Sequence, residues 1–340
     1  MHLARFKKVD LGHFPTRIEK MENLTRLLGG PDLYIKRDDC TGLATGGNKT
    51  RKLEYLVADA IDKGADTLVT QGATQSNHVR QTAAAARKFG MRCFALLERR
   101  VTNMGDGYEA AGNVLLDDML RCEYDFRPEG LDMNAEAEAL GESLREKGMK
   151  PYVIPGGGSN PIGALGYAGC AAELVQQADG QGLRIDTIVH ATGSAGTQAG
   201  LVAGLDALNA PIDVIGISVR ADREKQIANV HGLAGRTSEL LGVKGELGRD
   251  LVEAYDDYVG PGYGQPTDEM VDAIATLAAE EGIFLDPVYS GKGMAGLIGL
   301  VRQGVLKQGR NVLFIHTGGA AALFAYPHLF SRRQQAAQAA

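Results

Sequence analysis

One lysine, Lys49, lies between the glycine turn Gly46-Gly47 and a segment with a helical pattern. The apolar residues of that segment recur at the spacing of one helix face: Leu53, Leu56, Val57, Ala60 and Ile61. Lys49 is therefore expected at a helix N-terminus, where the dipole disfavours an additional positive charge. A lysine that loses its proton readily can form a Schiff base with an aldehyde. The pattern alone also allows an ordinary solvated lysine.

Three turns that contain glycine, 72–78, 192–197 and 316–320, each connect a strand pattern to a helix pattern. Each turn could hold an anion, because the first N–H groups of a helix are free and its dipole is positive there. The first turn offers donors that suit a carboxylate: Thr74, Gln75, Ser76, Asn77 and His78. Such turns are also ordinary connections in α/β proteins, and Ser76 and Asn77 could simply cap a helix.

The second turn has the outline of a phosphate-binding nest: Thr192, Gly193, Ser194, Ala195, Gly196 and Thr197. Gly193 and Gly196 are expected to let the backbone approach a phosphate and to adopt positive φ angles. The turn lacks both the Walker pattern GK[ST] and the dinucleotide pattern GxGxxG, which favours a small phosphorylated cofactor. A phosphate site together with a Schiff-base lysine indicates pyridoxal phosphate.

The composition excludes several classes of function. With 340 residues, 44% hydrophobic and 23% charged, the chain has the size and composition of a two-domain α/β enzyme. Its net charge of −6 is spread without a basic run, so no nucleic-acid partner is expected. No apolar stretch approaches the roughly 20 residues of a membrane span, and the N-terminal segment lacks the apolar core of a signal peptide. We therefore expect no membrane partner.

The cysteines and histidines show no pattern typical of a metal centre. Cys40, Cys93, Cys122 and Cys170 form no CxxC pair, and the 7 histidines show no HExxH spacing. We expect neither a disulfide framework nor a bound metal. The cysteines are expected to be reduced and the protein to be cytoplasmic.

Strand and helix patterns alternate from about residue 50 to the C-terminal region. The predicted strands are 66–70, 91–97, 122–126, 152–154, 185–190, 213–219 and 312–316. The predicted helices are 77–89, 107–120, 132–147, 197–208, 222–241 and 267–281. The loop 155–161 is the strongest interruption and is a predicted hinge or domain crossing. These patterns favour two open α/β sheets with a site at the carboxyl ends of the strands. A dinucleotide enzyme or a non-catalytic binding protein would share this architecture, but neither accounts for Lys49.

Six segments together resemble the pyridoxal-phosphate enzymes grouped with D-cysteine desulfhydrase and 1-aminocyclopropane-1-carboxylate deaminase. They are 46–49, 75–78, 193–197, 262–264, 286–289 and 316–319, in order along nearly the whole chain. The resemblance implies the tryptophan-synthase-β-like fold (pyridoxal-phosphate fold type II), with two open α/β domains and the cofactor between them. It also implies a large cofactor-binding domain of residues 1–50 and 162–340, a small mobile substrate domain of residues 51–161, and a homodimer.

The resemblance further implies roles for individual residues. Lys49 would carry the Schiff base and remove the Cα proton of the substrate. Ser76, Tyr263 and Tyr289 would complete the catalytic set beside the substrate. Asn77 would contact the ring hydroxyl of the cofactor, and a hydroxyl of Ser290 or Thr317 would lie near its pyridine nitrogen. Tyr263 and Tyr289 could also be core aromatics with a hydrogen-bonded hydroxyl.

Within this group the segments 36–43, 70–78 and 184–194 are most similar to the L-cysteate sulfo-lyases. This similarity implies β-elimination of L-cysteate to pyruvate, sulfite and ammonia; the alternative is D-cysteine desulfhydrase, which releases sulfide. Deamination of 1-aminocyclopropane-1-carboxylate is less favoured, because those deaminases carry an acidic residue where this chain has Ser290. Arg220 follows the strand 213–219 and is the candidate partner of the sulfonate. Since Arg223 and Lys225 are close in sequence, a solvated basic cluster is the other interpretation.

Overall fold

The structure, a computed structural model, describes residues 1–101, 104–105 and 107–330. The polar tail 332–340, which we expect to fray, lies outside these ranges. The strands within them are β1 (Ile18–Lys20), β2 (Asp32–Lys36), β3 (Thr67–Ala73), β4 (Arg92–Glu98), β5 (Glu123–Arg127), β6 (Pro151–Val153), β7 (Thr187–Thr192), β8 (Asp213–Ser218), β9 (Glu253–Tyr255) and β10 (Asn311–Ile315).

These strands form two sheets. The six-stranded sheet has the order β1-β2-β10-β7-β8-β9 and is parallel except for β1, which pairs antiparallel to β2. The four-stranded sheet has the order β5-β4-β3-β6 and is entirely parallel. In a parallel sheet all carboxyl ends lie at one edge, so each sheet has a single edge where strand-to-helix turns gather.

Helices cover both sheets. They are α1 (Glu22–Leu28), α2 (Lys49–Asp62), α3 (Asn77–Lys88), α4 (Gly112–Met119), α5 (Met133–Glu146), α6 (Pro161–Gln181), α7 (Gly196–Asp206), α8 (Arg223–Leu241), α9 (Asp268–Glu281), α10 (Ser290–Arg302) and α11 (Pro327–Phe330). The predicted pair of open α/β sheets is confirmed, and the predicted strands lie within a few residues of their places. The sequence analysis missed β1, β2, β9, α1, α6, α10 and α11.

Glycines allow three of these helices to pack backbone against backbone. A Cβ atom on Gly166 of α6 would lie 2.3 Å from the carbonyl oxygen of Arg51 in α2. A Cβ atom on Gly200 of α7 would lie 2.3 Å from the carbonyl oxygen of Ala164 in α6. Real Cβ atoms do not approach so closely, so only glycine permits these crossings. The consequence is that α2, α6 and α7 lie together, although they belong to segments far apart in sequence.

A buried ionic network fixes α2 against the six-stranded sheet. The Arg51 guanidinium donates to both oxygens of Asp38, at 2.8 Å each, and to both oxygens of Glu173 in α6, at 2.9 Å each. Tyr167 and Thr16 also donate to Asp38, at 2.6 and 2.7 Å. Burial alone would raise the pKa of Asp38, but the charge and hydrogen bonds of Arg51 outweigh it, and the pKa is lowered.

Among the residues that the structure describes, no helix combines the length and apolar character needed to cross a membrane.

Replacement of Asp38 by Asn should destabilise the fold by roughly 3–5 kcal/mol, because it leaves the buried Arg51 without its full counter-charge. The Asp38 pKa is lowered in the folded state, so its stabilisation is present above the ordinary aspartate pKa of about 3.9 and is lost as pH falls through the folded value. The difference in unfolding free energy between wild type and Asp38→Asn should therefore shrink below about pH 4. Urea unfolding at several pH values measures this difference.

Asp62→Asn, which breaks only an exposed pair with Lys7, is the control and should lower the unfolding free energy by about 1 kcal/mol or less.

Candidate active site

Two adjoining cavities lie where the carboxyl ends of β3, β7 and β8 face the start of α2. The space between protein atoms, part of which is open to solvent, amounts to about 480 Å³ in the smaller cavity and about 900 Å³ in the larger one. Residues that line both cavities are Lys49, His78, Gly193, Ser194 and Tyr289. The walls come from both sheets, so a bound molecule would contact both.

Lys49 is the first residue of α2 and lies half-buried between the two cavities. Its amine makes no hydrogen bond or ion pair to the described residues. Burial lowers its pKa to about 8. The sequence analysis attributed a low pKa to the helix dipole; in the structure its cause is removal from water. A larger fraction of this amine is therefore neutral near pH 8 than of an ordinary lysine.

The turn between β7 and α7 forms one wall of the smaller cavity. The turn residues that line it are Thr192, Gly193, Ser194, Ala195 and Thr197. Ala195 has the positive φ, +71°, and neither Gly193 nor Gly196 does, so the expectation of positive φ at the glycines is wrong. Gly196 serves close approach instead, because a Cβ atom there would lie 2.7 Å from the Ser159 hydroxyl oxygen and 2.9 Å from the Lys52 amine.

Lys52 was missed by the sequence analysis, although it follows Lys49 by three residues and so lies on the same face of α2. It is 1% exposed, and its amine donates only to the Gly157 carbonyl oxygen, at 3.1 Å, among the described residues. Burial and the charge of Lys49 lower its pKa well below the ordinary value. A buried ammonium beside Gly196 and without a carboxylate partner is a natural site for a phosphate oxygen.

Asn77, the first residue of α3, also faces the smaller cavity. Its side-chain oxygen accepts from Arg80, at 3.2 Å, and from Asn113, at 3.0 Å. This fixes the amide so that Nδ2 is the group left to donate to a ligand. Arg80 is fully buried and donates at 2.8 Å to the carbonyl oxygen of Gly46, so it joins α3 to the turn before Lys49.

The predicted carboxylate-binding turn divides into two parts. Ser76 and His78 line the larger cavity, and the Ser76 hydroxyl caps α3 by accepting from Val79 at 3.2 Å. Thr74 and Gln75 line neither cavity. Their side chains instead form hydrogen bonds to other residues of the protein. Gln75 donates to the carbonyl oxygens of Tyr108 and Ala111, and Thr74 contacts the carbonyl oxygen of Glu98. The Thr74 N–H also donates to the carbonyl oxygen of Glu98, at 3.1 Å, so the Gln75 N–H is the group of these two residues that remains a candidate for binding.

Tyr263 and Tyr289 both line the larger cavity, with hydroxyls in direct hydrogen-bonding contact and ring centroids 5.7 Å apart. Burial raises the pKa of both, so both are neutral donors near pH 7. Asp286, fully buried, accepts from the backbone N–H groups of Val288 and Tyr289, at 2.9 Å each, and so shapes this turn.

The two hydroxyls predicted near the pyridine nitrogen lie in different surroundings. Thr317 lines the smaller cavity, and its carbonyl oxygen accepts from Asn48 beside Lys49, at 3.0 Å. Ser290 is fully buried, and its hydroxyl donates to Asp286 at 2.6 Å. Ser290 is not among the residues that line the cavities, so Thr317 is the better placed of the two.

Arg220, two residues beyond the end of β8, lines the larger cavity. It is exposed, as are Arg223 and Lys225, so both interpretations of Arg220 stay predictions. The sequence analysis missed further residues of this cavity: Gln71, Arg100, Asn134, Pro155, Gly156, Gly157, Ser159 and Val219. Part of the predicted hinge 155–161 thus forms cavity wall. Within the described ranges, no group of three or more His, Cys, Asp or Glu side chains could hold a metal ion.

A family model for pyridoxal-phosphate dependent enzymes matches residues 9–318. This chain belongs to that family. The enzyme is also similar to a solved structure of an ACC deaminase homologue, at 43% identity and a TM-score of 0.87, over 97% of each chain. Its similarity to a solved T.th. threonine deaminase has a TM-score of 0.62 at 17% identity, over 90% of this chain and 92% of the other. At that identity the likeness shows the fold alone. The predicted fold type II and the predicted cofactor are confirmed.

The residues of the smaller cavity fit pyridoxal phosphate. The unpaired amine of Lys49 would bind its aldehyde, and the turn 193–197 would hold its phosphate. Lys52, which does not line the cavity but lies behind this turn, would add a positive charge beside Gly196. Asn77 would reach the ring hydroxyl through the amide nitrogen that its protein partners leave free. These assignments stay predictions, and two experiments address them.

Lys49→Ala should fold normally but fail to bind the cofactor covalently and to turn over substrate, because both steps need this amine. Borohydride reduction of wild-type enzyme, followed by peptide mass spectrometry, should find the cofactor on the peptide with Lys49. Lys63→Ala, which removes an exposed lysine at the other end of α2, should behave as wild type. Measurable turnover in Lys49→Ala would mean that another residue is the base.

Gly196→Val should weaken cofactor binding strongly, because the new side chain would displace Ser159 and Lys52. Thr197→Val should weaken it by roughly 1–3 kcal/mol, the contribution of one hydrogen bond to a charged acceptor. Gly180→Val is the matched control, since a Cβ atom there meets no other group. Equilibrium dialysis measures the affinity of the three variants and of wild type for pyridoxal phosphate. Equal affinities would show that the phosphate binds elsewhere.

Proposed function

We propose that this enzyme eliminates sulfite from L-cysteate and so produces pyruvate, sulfite and ammonia. The observation that supports this substrate best is Arg220 in the wall of the cavity that also holds Lys49, Tyr263 and Tyr289. Arg220 is exposed, and its guanidinium has no hydrogen-bond or ion-pair partner among the described residues. A sulfonate is permanently anionic and accepts hydrogen bonds at three oxygens, so it suits an unpaired arginine better than a thiol does.

Pyridoxal phosphate, when bound, supplies an aldehyde that captures the substrate amine and a ring that delocalises electron density from Cα. The Lys49 amine then takes the Cα proton. The electron pair of the Cα–H bond forms the Cα–Cβ double bond, and the Cβ–S bond breaks, so that sulfite leaves with its electron pair. The remaining aminoacrylate reacts with one water molecule and with the proton that Lys49 gives up, which yields pyruvate and ammonium and restores the neutral amine.

The start of α3 is proposed to hold the substrate carboxylate. Ser76 uses an oxygen lone pair to cap the helix, which leaves its O–H free to donate to the carboxylate. Free N–H groups at the helix N-terminus would add to this interaction. Capping and binding are therefore compatible at the same residue. The paired hydroxyls of Tyr263 and Tyr289 lie in the same cavity and would orient the substrate from the opposite sheet.

Two alternatives use the same lysine. D-Cysteine desulfhydration requires the same elimination with sulfide as the leaving group, but it gives Arg220 no partner. Deamination of 1-aminocyclopropane-1-carboxylate is supported by the similarity to the ACC deaminase homologue. Against it, the residue after Tyr289 is Ser290, whose hydroxyl is bound to Asp286, so no carboxylate of that residue can support protonation of the pyridine nitrogen.

We also propose that residues 51–161 form a small domain that moves against residues 1–50 and 162–340, and that the enzyme is a homodimer. The four-stranded sheet lies within the proposed small domain. A dimer is supported by large apolar side chains that are exposed on α4 and on the neighbouring turn: Leu115, Met119 and Phe324. Light scattering of the purified protein tests this assembly.

Assays of wild-type enzyme and Arg220→Ala with a panel of β-substituted amino acids test the proposed substrate. Wild type should release sulfite from L-cysteate faster than sulfide from D-cysteine. Arg220→Ala should reduce kcat/KM for L-cysteate by about tenfold or more, equivalent to about 1.4 kcal/mol, and that for β-chloroalanine much less, because only the sulfonate carries a charge. Arg223→Ala is the control, since its guanidinium stacks on Tyr255 outside the cavity.

Faster release of sulfide than of sulfite by wild type would favour the desulfhydrase. An equal loss for charged and uncharged substrates in Arg220→Ala would instead assign Arg220 a structural role.

A further inference from the structure

A second arginine, Arg100, reaches the larger cavity from the opposite sheet to Arg220. It lies two residues beyond the end of β4, the strand that pairs with β3 in the four-stranded sheet. Arg220 lies beyond β8 in the six-stranded sheet. Both arginines line the cavity that holds Lys49 and Tyr263. Two cations from different sheets therefore face one small space.

The Arg100 side chain is held by one end only. Its Nε donates to Glu98, which is 1% exposed and whose other oxygen accepts from the Gly130 N–H at 3.1 Å. The guanidinium lies over the Tyr263 ring, 5.2 Å from the centroid, which is cation–π distance. Its terminal nitrogens make no hydrogen bond to the described residues. These contacts fix the orientation of the Arg100 side chain, while the N–H groups of its two terminal nitrogens remain available to a ligand.

The neighbouring Arg99, at the same strand end, serves as a comparison, because its guanidinium binds other residues of the protein. Its Nε and one terminal nitrogen donate to the two carboxylate oxygens of Glu109, at 2.6 and 3.0 Å, and its guanidinium stacks on Phe126. Its side chain is 49% exposed, against 13% for Arg100, and it does not line the cavity. The two adjacent arginines therefore differ in their hydrogen bonds. Arg99 uses a terminal nitrogen to bind Glu109, whereas the terminal nitrogens of Arg100 remain available to a ligand.

We propose that Arg100 and Arg220 together bind the anionic β-substituent of the substrate, so that Arg100 determines the preference for amino acids with a second negative charge. This inference rests on the proposed function, in which the substrate carries a sulfonate. Three sulfonate oxygens can accept from two guanidinium groups at once. Glu98 offsets one positive charge, so one net cation remains for one sulfonate. A thiol or a chloride substituent gains nothing from either arginine.

Ligand binding tests this inference without turnover. L-Aspartate carries a second carboxylate and no leaving group on Cβ, whereas L-alanine is its counterpart without the charge. Each is titrated into holoenzyme, and the change in cofactor absorbance gives its Kd. Arg100→Gln should weaken binding of L-aspartate by roughly 30-fold or more and that of L-alanine by less than about threefold. Arg100→Lys should lie between, since it keeps the charge and loses the planar fork. Arg99→Gln is the matched control and should match wild type.

A double-mutant cycle with Arg220→Gln shows whether the two arginines share one ligand group. Non-additive losses for L-aspartate are expected, because removal of either arginine leaves the other with an incomplete site. Additive losses, or equal losses for L-aspartate and L-alanine in Arg100→Gln, would overturn the inference and leave Arg100 as a support for Tyr263. The proposed function fails separately: if wild type released no sulfite from L-cysteate but Arg100→Gln still lost L-aspartate selectively, the paired cation site would stand with a different dianionic substrate.

Discussion

The buried pairing of Arg51 with Asp38 and Glu173 is the constraint on which the site depends. Arg51 lies between Lys49 and Lys52 on the same helix, so any shift of α2 would move both amines. A bidentate contact at 2.8 Å to Asp38 fixes α2 at the carboxyl end of β2, and the contact to Glu173 fixes it to α6. Breaking such a buried pair is costly, because one charge is then left without compensation. The network therefore supplies positional rigidity to two lysines that themselves have few partners.

Close helix packing makes this arrangement possible. Gly166 and Gly200 bring α2, α6 and α7 within backbone contact, and the turn before α7 is thereby placed beside Lys52. An anion in that turn would meet a helix N-terminus and a buried ammonium together. A larger residue at either glycine would separate the helices and remove one of these two partners. The phosphate site is thus a consequence of helix packing as much as of the turn sequence.

The sequence predicts those parts of the fold and site that depend on local patterns. Lys49 could be placed at a helix start because a glycine turn precedes a clear apolar periodicity, and the turn 192–197 because it connects a strand to a helix. The long helix α6 was missed because it packs against α2, α7 and α8 and so lacks a single apolar face. Lys52 and Arg100 were missed for a different reason. Their surroundings come from segments distant in sequence, and only the tertiary structure shows that Arg100 lines the larger cavity and that the Lys52 amine lies beside Gly196.

The charges around the cavities explain why Lys49 and Lys52, only one helical turn apart, can have different tasks. In the protein alone, burial lowers the pKa of both, and the charge of Lys49 lowers that of Lys52 further. A phosphate beside Lys52 would favour its protonated form, because a nearby opposite charge offsets the cost of burial. Lys49 also borders the larger cavity, which the two tyrosines line, and its amine pairs with no carboxylate of the residues that the structure describes. Lys52 would thus remain protonated while Lys49 remains a reactive amine. The position of the phosphate, close to Lys52, would cause this difference.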